Sequence, residues 1–286
     1  VRPAQHYTMG GVRTNHTGQS PTLKGLFSAG EAACWDMHGF NRLGGNSVAE
    51  TVVAGMIVGE FIADFCESPA GDLDIPTALV REAMAVERAK LDELLNGSGP
   101  ERADALKMEM QQIMTERVGI FRSGADLEEA VHRLQGLLVR SRRIGLRYKV
   151  DGPNPELVTA YRTQKMLKVA LCVAAGAHAR TESRGAHFRE DFPRRDDTTW
   201  LKRTLATWRD PSDTLPSFAY EPLNVMTMEL PPGWRGYGAK NYVDHPDTAV
   251  RAAEVVKLRD GLASADRHAV QAALMPYEHL LPERLR

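Results

Sequence analysis

The chain has 286 residues, 43% of them hydrophobic, and a formal net charge of -1, which suits a globular protein of more than one domain. Near-neutrality argues against nucleic-acid binding, which usually shows as a basic stripe. Cys34, Cys66 and Cys172 form no CxxC pair, so a disulfide framework or cysteine metal site is not expected and a reducing compartment fits.

The first residues, VRPAQHYTMGG, open in mid-motif, without a methionine, a first strand or a signal-peptide pattern. The expectation is a C-terminal piece of a longer polypeptide. His6, close to Gly10 and Gly11, could donate to a carboxylate or satisfy a turn. GLFSAGE, Gly25 to Glu31, reads as a buried strand ending in an acid. Glu31 could accept from ribose hydroxyls, as acids at strand ends do in dinucleotide folds, or pair with an arginine.

HGFNRLGGNSVAE, His38 to Glu50, sets a fixed positive charge and two glycines before an apolar helix. Asn46 or Ser47 can cap that helix, which runs to about Phe65 with Val48, Val52, Met56, Ile57 and Phe61 at helical spacing. The first N–H groups of a helix lack intrahelical partners and lie at the positive end of its dipole. Gly44 and Gly45 let backbone approach a ligand, and the Arg42 guanidinium suits a carboxylate. Arg42 is therefore a candidate anion clamp; the alternative is a surface arginine before a turn that packs helix on sheet. Strand, glycine loop and helix together suggest the last part of a nucleotide-binding α/β domain. The run Val48 to Phe65 holds Glu50, Glu60 and Asp64, so it is not a membrane span.

CESPAGDLDIP, Cys66 to Pro76, reads as a linker. Beyond it, Thr77 to Leu95, Pro100 to Arg117, Leu127 to Arg147 and Pro155 to His178 carry helical periodicity. Gly99-Pro100 and Asn154-Pro155 mark helix starts, and Asp126 with Glu129 resembles a capping box. These segments predict an antiparallel bundle of three or four helices, whose Leu and Met faces are core. ESRGAHFREDFPRRDD, Glu182 to Asp197, is dense in both charges. It reads as a network pinning the C-terminal region to the bundle, in preference to a catalytic role. Short strands are expected around Leu201 to Trp208 and Phe218 to Leu223, irregular chain through MELPPGWRGYGAK, and helices near Asp247 to Leu262 and Asp266 to Met275. His245, His268 and His279 receive no role.

Taken together, RPAQHYTMGGVRTN, GLFSAGEAACWDMHGFNRLGGNSVAE and ESRGAHFREDFPRRDD resemble the flavoprotein subunit of the succinate dehydrogenase and fumarate reductase family. PPGWRGYGAKNYVDHP and DRHAVQAALMPYE resemble its quinol:fumarate reductase branch of epsilonproteobacterial type. The resemblance implies that His6 and Arg42 bind the carboxylates of a C4 dicarboxylate, fumarate or succinate. It implies that Glu31 contacts FAD, that Ser47 and Val48 give backbone N–H groups to the isoalloxazine, and that His38 and Asn41 shape the same wall. A hydride then passes between substrate and flavin, and electrons leave through an iron–sulfur subunit to membrane quinone. The implied setting is cytoplasmic, on the inner face of the membrane through partner subunits, including an anchor. Arg184, His187 and Arg189 become candidates for folding or for the iron–sulfur interface.

The implied architecture is an α/β remnant of an FAD-binding domain (1–70), an antiparallel helical bundle (77–180) and a small α+β C-terminal region (181–286). In this family the GxGxxG fold, the histidine often bonded to flavin and the proton-shuttling arginine precede the HY motif. The chain is therefore expected to carry no proton-transferring catalytic residue of its own and to hold FAD weakly or not at all when alone. No metal site is expected. Two alternatives stand: an L-aspartate oxidase-like flavoenzyme, which shares both glycine motifs, and a non-catalytic helical assembly or interaction module.

Overall fold

A computed structural model describes residues 6–39, 41–72, 74–150, 152–223 and 248–286. The described chain gathers into two units: residues 6–74 with 248–286, and residues 75–223.

In the first unit, β1 (Val12–Arg13) lies parallel to β2 (Ala33–Cys34), with Val12 opposite Ala33. The chain between them doubles back on itself. Ser20 N–H donates to the Leu26 carbonyl and Ser28 N–H to the Gly18 carbonyl, each at 2.8 Å. The expected buried strand over Gly25 to Glu31 does not form. Phe27 makes one bridge to Gln19, and Gly30–Ala32 coils into a 3-10 turn. Gly30, at φ +67°, interrupts extension, and Leu26 is 40% exposed, so no sheet layer covers this stretch among the described residues. After the glycine loop come α1 (Asn46–Ala49), a π-helical turn (Glu50–Ala54) and α2 (Gly55–Glu67). Neither Asn46 nor Ser47 caps this helix. Its N-cap is Gly45 at φ +81°, a conformation that costs a side chain and suits glycine.

The second unit holds the four expected helices: α3 (Thr77–Asn96), α4 (Ala103–Arg117), α5 (Gly124–Ser141) and α6 (Pro155–Ala179). Leu106, Ile113, Leu127, Leu134, Leu167 and Leu171 are wholly buried between them. Their boundaries correct three expectations. Ser98 and Glu101 bridge to Gly145 and Ile144, which keeps both segments extended. Pro100 therefore lies outside α4, and α5 stops at Ser141, short of Arg147. The cap of α5 is Ser123, one turn before Asp126. Ser123 Oγ accepts from Asp126 N–H at 3.2 Å and donates to its Oδ2 at 2.7 Å. Asn154 caps α6, accepting from Leu157 N–H at 3.0 Å.

Residues 181–223 fold with this bundle. β3 (Phe121–Arg122) pairs parallel with β4 (Phe188–Arg189). After α7 (Asp197–Trp200), β5 (Lys202–Thr207) and β6 (Ser217–Pro222) form an antiparallel pair, with Arg203 opposite Glu221 and 2.8 Å from its carboxylate. MELPPGWRGYGAK and His245 lie outside the described residues. The closing helices, α8 (Thr248–Leu262) and α9 (Arg267–Leu274), belong to the first unit. There Glu283 N–H donates to Asp64 Oδ2 at 3.1 Å, and Arg284 pairs with Glu67. No helix among the described residues is long and apolar enough to cross a membrane.

Candidate functional site

His6 and Arg42, 36 residues apart, meet in the first unit: Arg42 Nη2 lies 3.2 Å from His6 Nδ1. A guanidinium can only donate. His6 Nδ1 is therefore the acceptor, and the ring is neutral with its proton on Nε2. The pair offers an anion one imidazole N–H and the remaining guanidinium N–H groups. Arg42 Nε is buried and finds no hydrogen-bond partner among the described residues.

The helix mouth carries a second orphaned group. Ser47 is buried and its Oγ has no partner among the described residues, whereas Val48 is 66% exposed. A Cβ on Gly44 or Gly45 would meet nothing within 4 Å, so the backbone at this turn faces open space. Unpaired buried polar atoms are uncommon in native folds and call for a partner. The exposed Glu31 uses Oε1 to accept Thr8 N–H at 2.7 Å, which ties the segment after His6 to the turn at Gly30. Asn41 is exposed beside Arg42.

His38 is drawn elsewhere: its Nε2 lies 2.8 Å from Glu50 Oε2. The same oxygen accepts from the Tyr7 hydroxyl, and the Tyr7 and His38 rings meet edge to face at 6.0 Å. Burial first, then the bond to Glu50, holds the Tyr7 phenol above its ordinary pKa, so it remains a donor. Tyr7 and Glu50 were not among the residues expected here. The signal for Glu50 was present, as the one charged residue between Val48 and Val58. Glu50 also lines a mostly apolar cavity of about 310 Å³ between the turn at Gly30 and the helix, with Thr14, Trp35, Val53 and Ile57.

The charged stretch after α6 is a buried network, away from these groups in sequence and within the second unit. Glu182, wholly buried, accepts from Arg180 at 2.6 Å, from Arg184 at 2.8 and 2.9 Å, and from Asp196 N–H at 2.9 Å. Arg189 donates to the Ala177 and His178 carbonyls at the end of α6 and bonds Asp191. Asp191 accepts Gly124 N–H at the start of α5. A cation thus meets one helix C-terminus and an anion another N-terminus, each at the favoured pole. No cluster of potential metal ligands occurs among the described residues.

Residues 107–237 match the family model for the fumarate reductase flavoprotein C-terminal region, and residues 1–48 match an FAD binding domain model. The chain is 50% identical to a Helicobacter pylori fumarate reductase flavoprotein subunit over 97% of its own length and 39% of that relative. A Mycobacterium tuberculosis fumarate reductase flavoprotein subunit is 38% identical, over 83% of this chain and 40% of its own. Among solved structures, Escherichia coli quinol fumarate reductase superposes with a TM-score of 0.69 at 35% identity, over 79% of this chain and 38% of that one. The chain thus spans about two-fifths of the length of the relatives it matches.

Proposed function

Because the chain belongs to the flavoprotein family of fumarate reductases and succinate dehydrogenases, we propose that its first unit supplies the dicarboxylate-binding and flavin-facing wall of such an oxidoreductase. The observation that carries the reading is the 3.2 Å approach of Arg42 to His6. A C4 dicarboxylate is a dianion, and two fixed donors orient it while polarising the bond between its inner carbons. Arg42 holds one carboxylate through its guanidinium, and His6 donates to the substrate from Nε2–H. Asn41 and His38 shape the wall behind them.

Ser47 and Val48 hold the isoalloxazine through their backbone N–H groups, at the positive pole of the helix, and Glu31 contacts the cofactor from the adjoining turn. The orphaned Ser47 Oγ and the open space over Gly44 and Gly45 support this fit. FAD, when bound, supplies the two-electron centre that exchanges hydride with the substrate. The residues of this chain bind and orient; no proton-transfer step is assigned to them. Fumarate and succinate are the substrates. Electrons exchange with an iron–sulfur subunit and then quinone, which sets the protein at the inner face of the cytoplasmic membrane through its partners. By itself the chain is expected to hold FAD weakly.

The test is a titration of the native holoprotein containing this chain with malonate, a non-reacting dicarboxylate, read by flavin absorbance. Arg42→Lys keeps the charge but loses the bidentate fork, and it should weaken malonate binding by about tenfold or more. An unchanged dissociation constant in that variant would refute the reading.

A further inference from the structure

We infer that Glu50 is a positioning residue of this site: its buried carboxylate clamps together the two chain segments that carry His6 and Arg42. The inference rests on the dicarboxylate reading above and extends it to a residue with no place facing the substrate. Glu50 is 5% exposed, whereas its helical neighbours Val48, Val52 and Val53 are each more than half exposed. Burying a carboxylate there costs desolvation that an apolar residue would not incur. Helix packing alone therefore does not account for it.

The two donors that satisfy it are the informative part. Tyr7 follows His6 directly, and His38 precedes Arg42 by four residues. Both donate to one atom, Glu50 Oε2. The two anchors and the two anion-binding groups are thus paired in parallel, with Tyr7 meeting His38 across the carboxylate while His6 meets Arg42. Glu50 also begins the π-helical turn. Such turns give up regular helical hydrogen bonding and recur at functional sites. Glu50 acts through His6 and Arg42 and touches neither substrate nor flavin in this assignment.

The test uses the native holoprotein and malonate titration. Glu50→Gln keeps one oxygen that can accept from both Tyr7 and His38 but removes the negative charge that strengthens the two bonds. It should weaken malonate binding about tenfold, and Tyr7→Phe about threefold, for the loss of buried hydrogen bonds to a charged group. Flavin content should hold. In an Arg42→Lys background, Glu50→Gln should cost less than about twofold more, because coupled residues are not additive. A merely structural glutamate would give additive losses, and that result overturns the inference. Unchanged malonate affinity in Glu50→Gln, with a loss in Arg42→Lys, overturns it while leaving the dicarboxylate reading intact. No effect of Arg42→Lys removes both. Should Glu50→Gln lose its flavin, Tyr7→Phe carries the same comparison, and additivity there is equally fatal.

Discussion

Arg122 donates from Nη1 to Nδ1 of His187 at 2.9 Å, and on its other side His187 Nε2 lies 3.2 Å from the Arg180 carbonyl. The first contact makes Nδ1 an acceptor and the second makes Nε2 a donor, so the ring is a neutral Nε2–H tautomer. Burial first, then the charges of Arg122, Arg180 and Arg189, hold its pKa down at about 4. The folded value lies below the unfolded one, near 6.5, so the contribution to stability is complete above about pH 6.5 and is lost as pH falls toward 4. Urea melts between pH 7 and pH 4 should show a loss of up to about 3 kcal/mol from this group. His187→Gln, which keeps one donor and one acceptor, should flatten the slope in that window. An unaltered slope would assign the pH dependence to other groups.

Glu182 is the hub of the same network. It is wholly buried and neutralises two arginines that are themselves nearly buried. Removing the carboxylate shared by two buried guanidinium groups leaves positive charge there without its compensating anion, at a cost of about 3–5 kcal/mol. Glu182→Ala should lower the urea midpoint accordingly with the denaturant slope unchanged. A loss under about 1 kcal/mol would place this cluster with ordinary surface pairs.

The helices of the second unit were legible in the sequence because amphipathic periodicity over 15 to 25 residues is a strong signal. Their ends were less so. The pairing of Ser98 and Glu101 with Gly145 and Ile144 joins positions more than 40 residues apart, and no local rule contains it. The strand expected at Gly25 to Glu31 shows the converse. Its composition suits a buried parallel strand, but such a strand needs neighbours, and Phe27 finds one bridge. In the site, the glycine motifs pointed to His6 and Arg42. The place of Glu50 is not legible in the sequence, because a single acid in an apolar helix carries no motif; what distinguishes the residue is the pair of donors that it meets in the fold.

The start of α5 offers a local test. Ser123 is the cap, and its bond to the Asp126 amide replaces an acceptor that the helix cannot supply. Asp126, held below the usual carboxylate range by Ser123 first and Arg117 second, completes the arrangement. Ser123→Ala should destabilise the protein by about 1 kcal/mol, and Ser123→Gly by only a few tenths. The ranking, read by thermal melts of both variants, is the discriminating result; equal losses would mean that the Oγ contact contributes little.

Gly10 and Gly11 both adopt positive φ, +107° and +146°, yet they should respond differently to a methyl group. A Cβ on Gly10 meets nothing within 4 Å, so Gly10→Ala adds backbone strain alone, about 1–2 kcal/mol. A Cβ on Gly11 would lie 2.3 Å from the Ala32 carbonyl oxygen and 2.8 Å from its carbon. Backbone cannot yield as a side chain does, so Gly11→Ala must push β1 away from β2. The segment carrying His6 and Tyr7 enters the fold through that contact, and its displacement separates His6 from Arg42. Malonate affinity in the native holoprotein should fall more than about tenfold in Gly11→Ala and less than about threefold in Gly10→Ala, since small displacements of positioning groups are costly. Equal losses in the two variants would show that the β1–β2 contact does not set the position of His6.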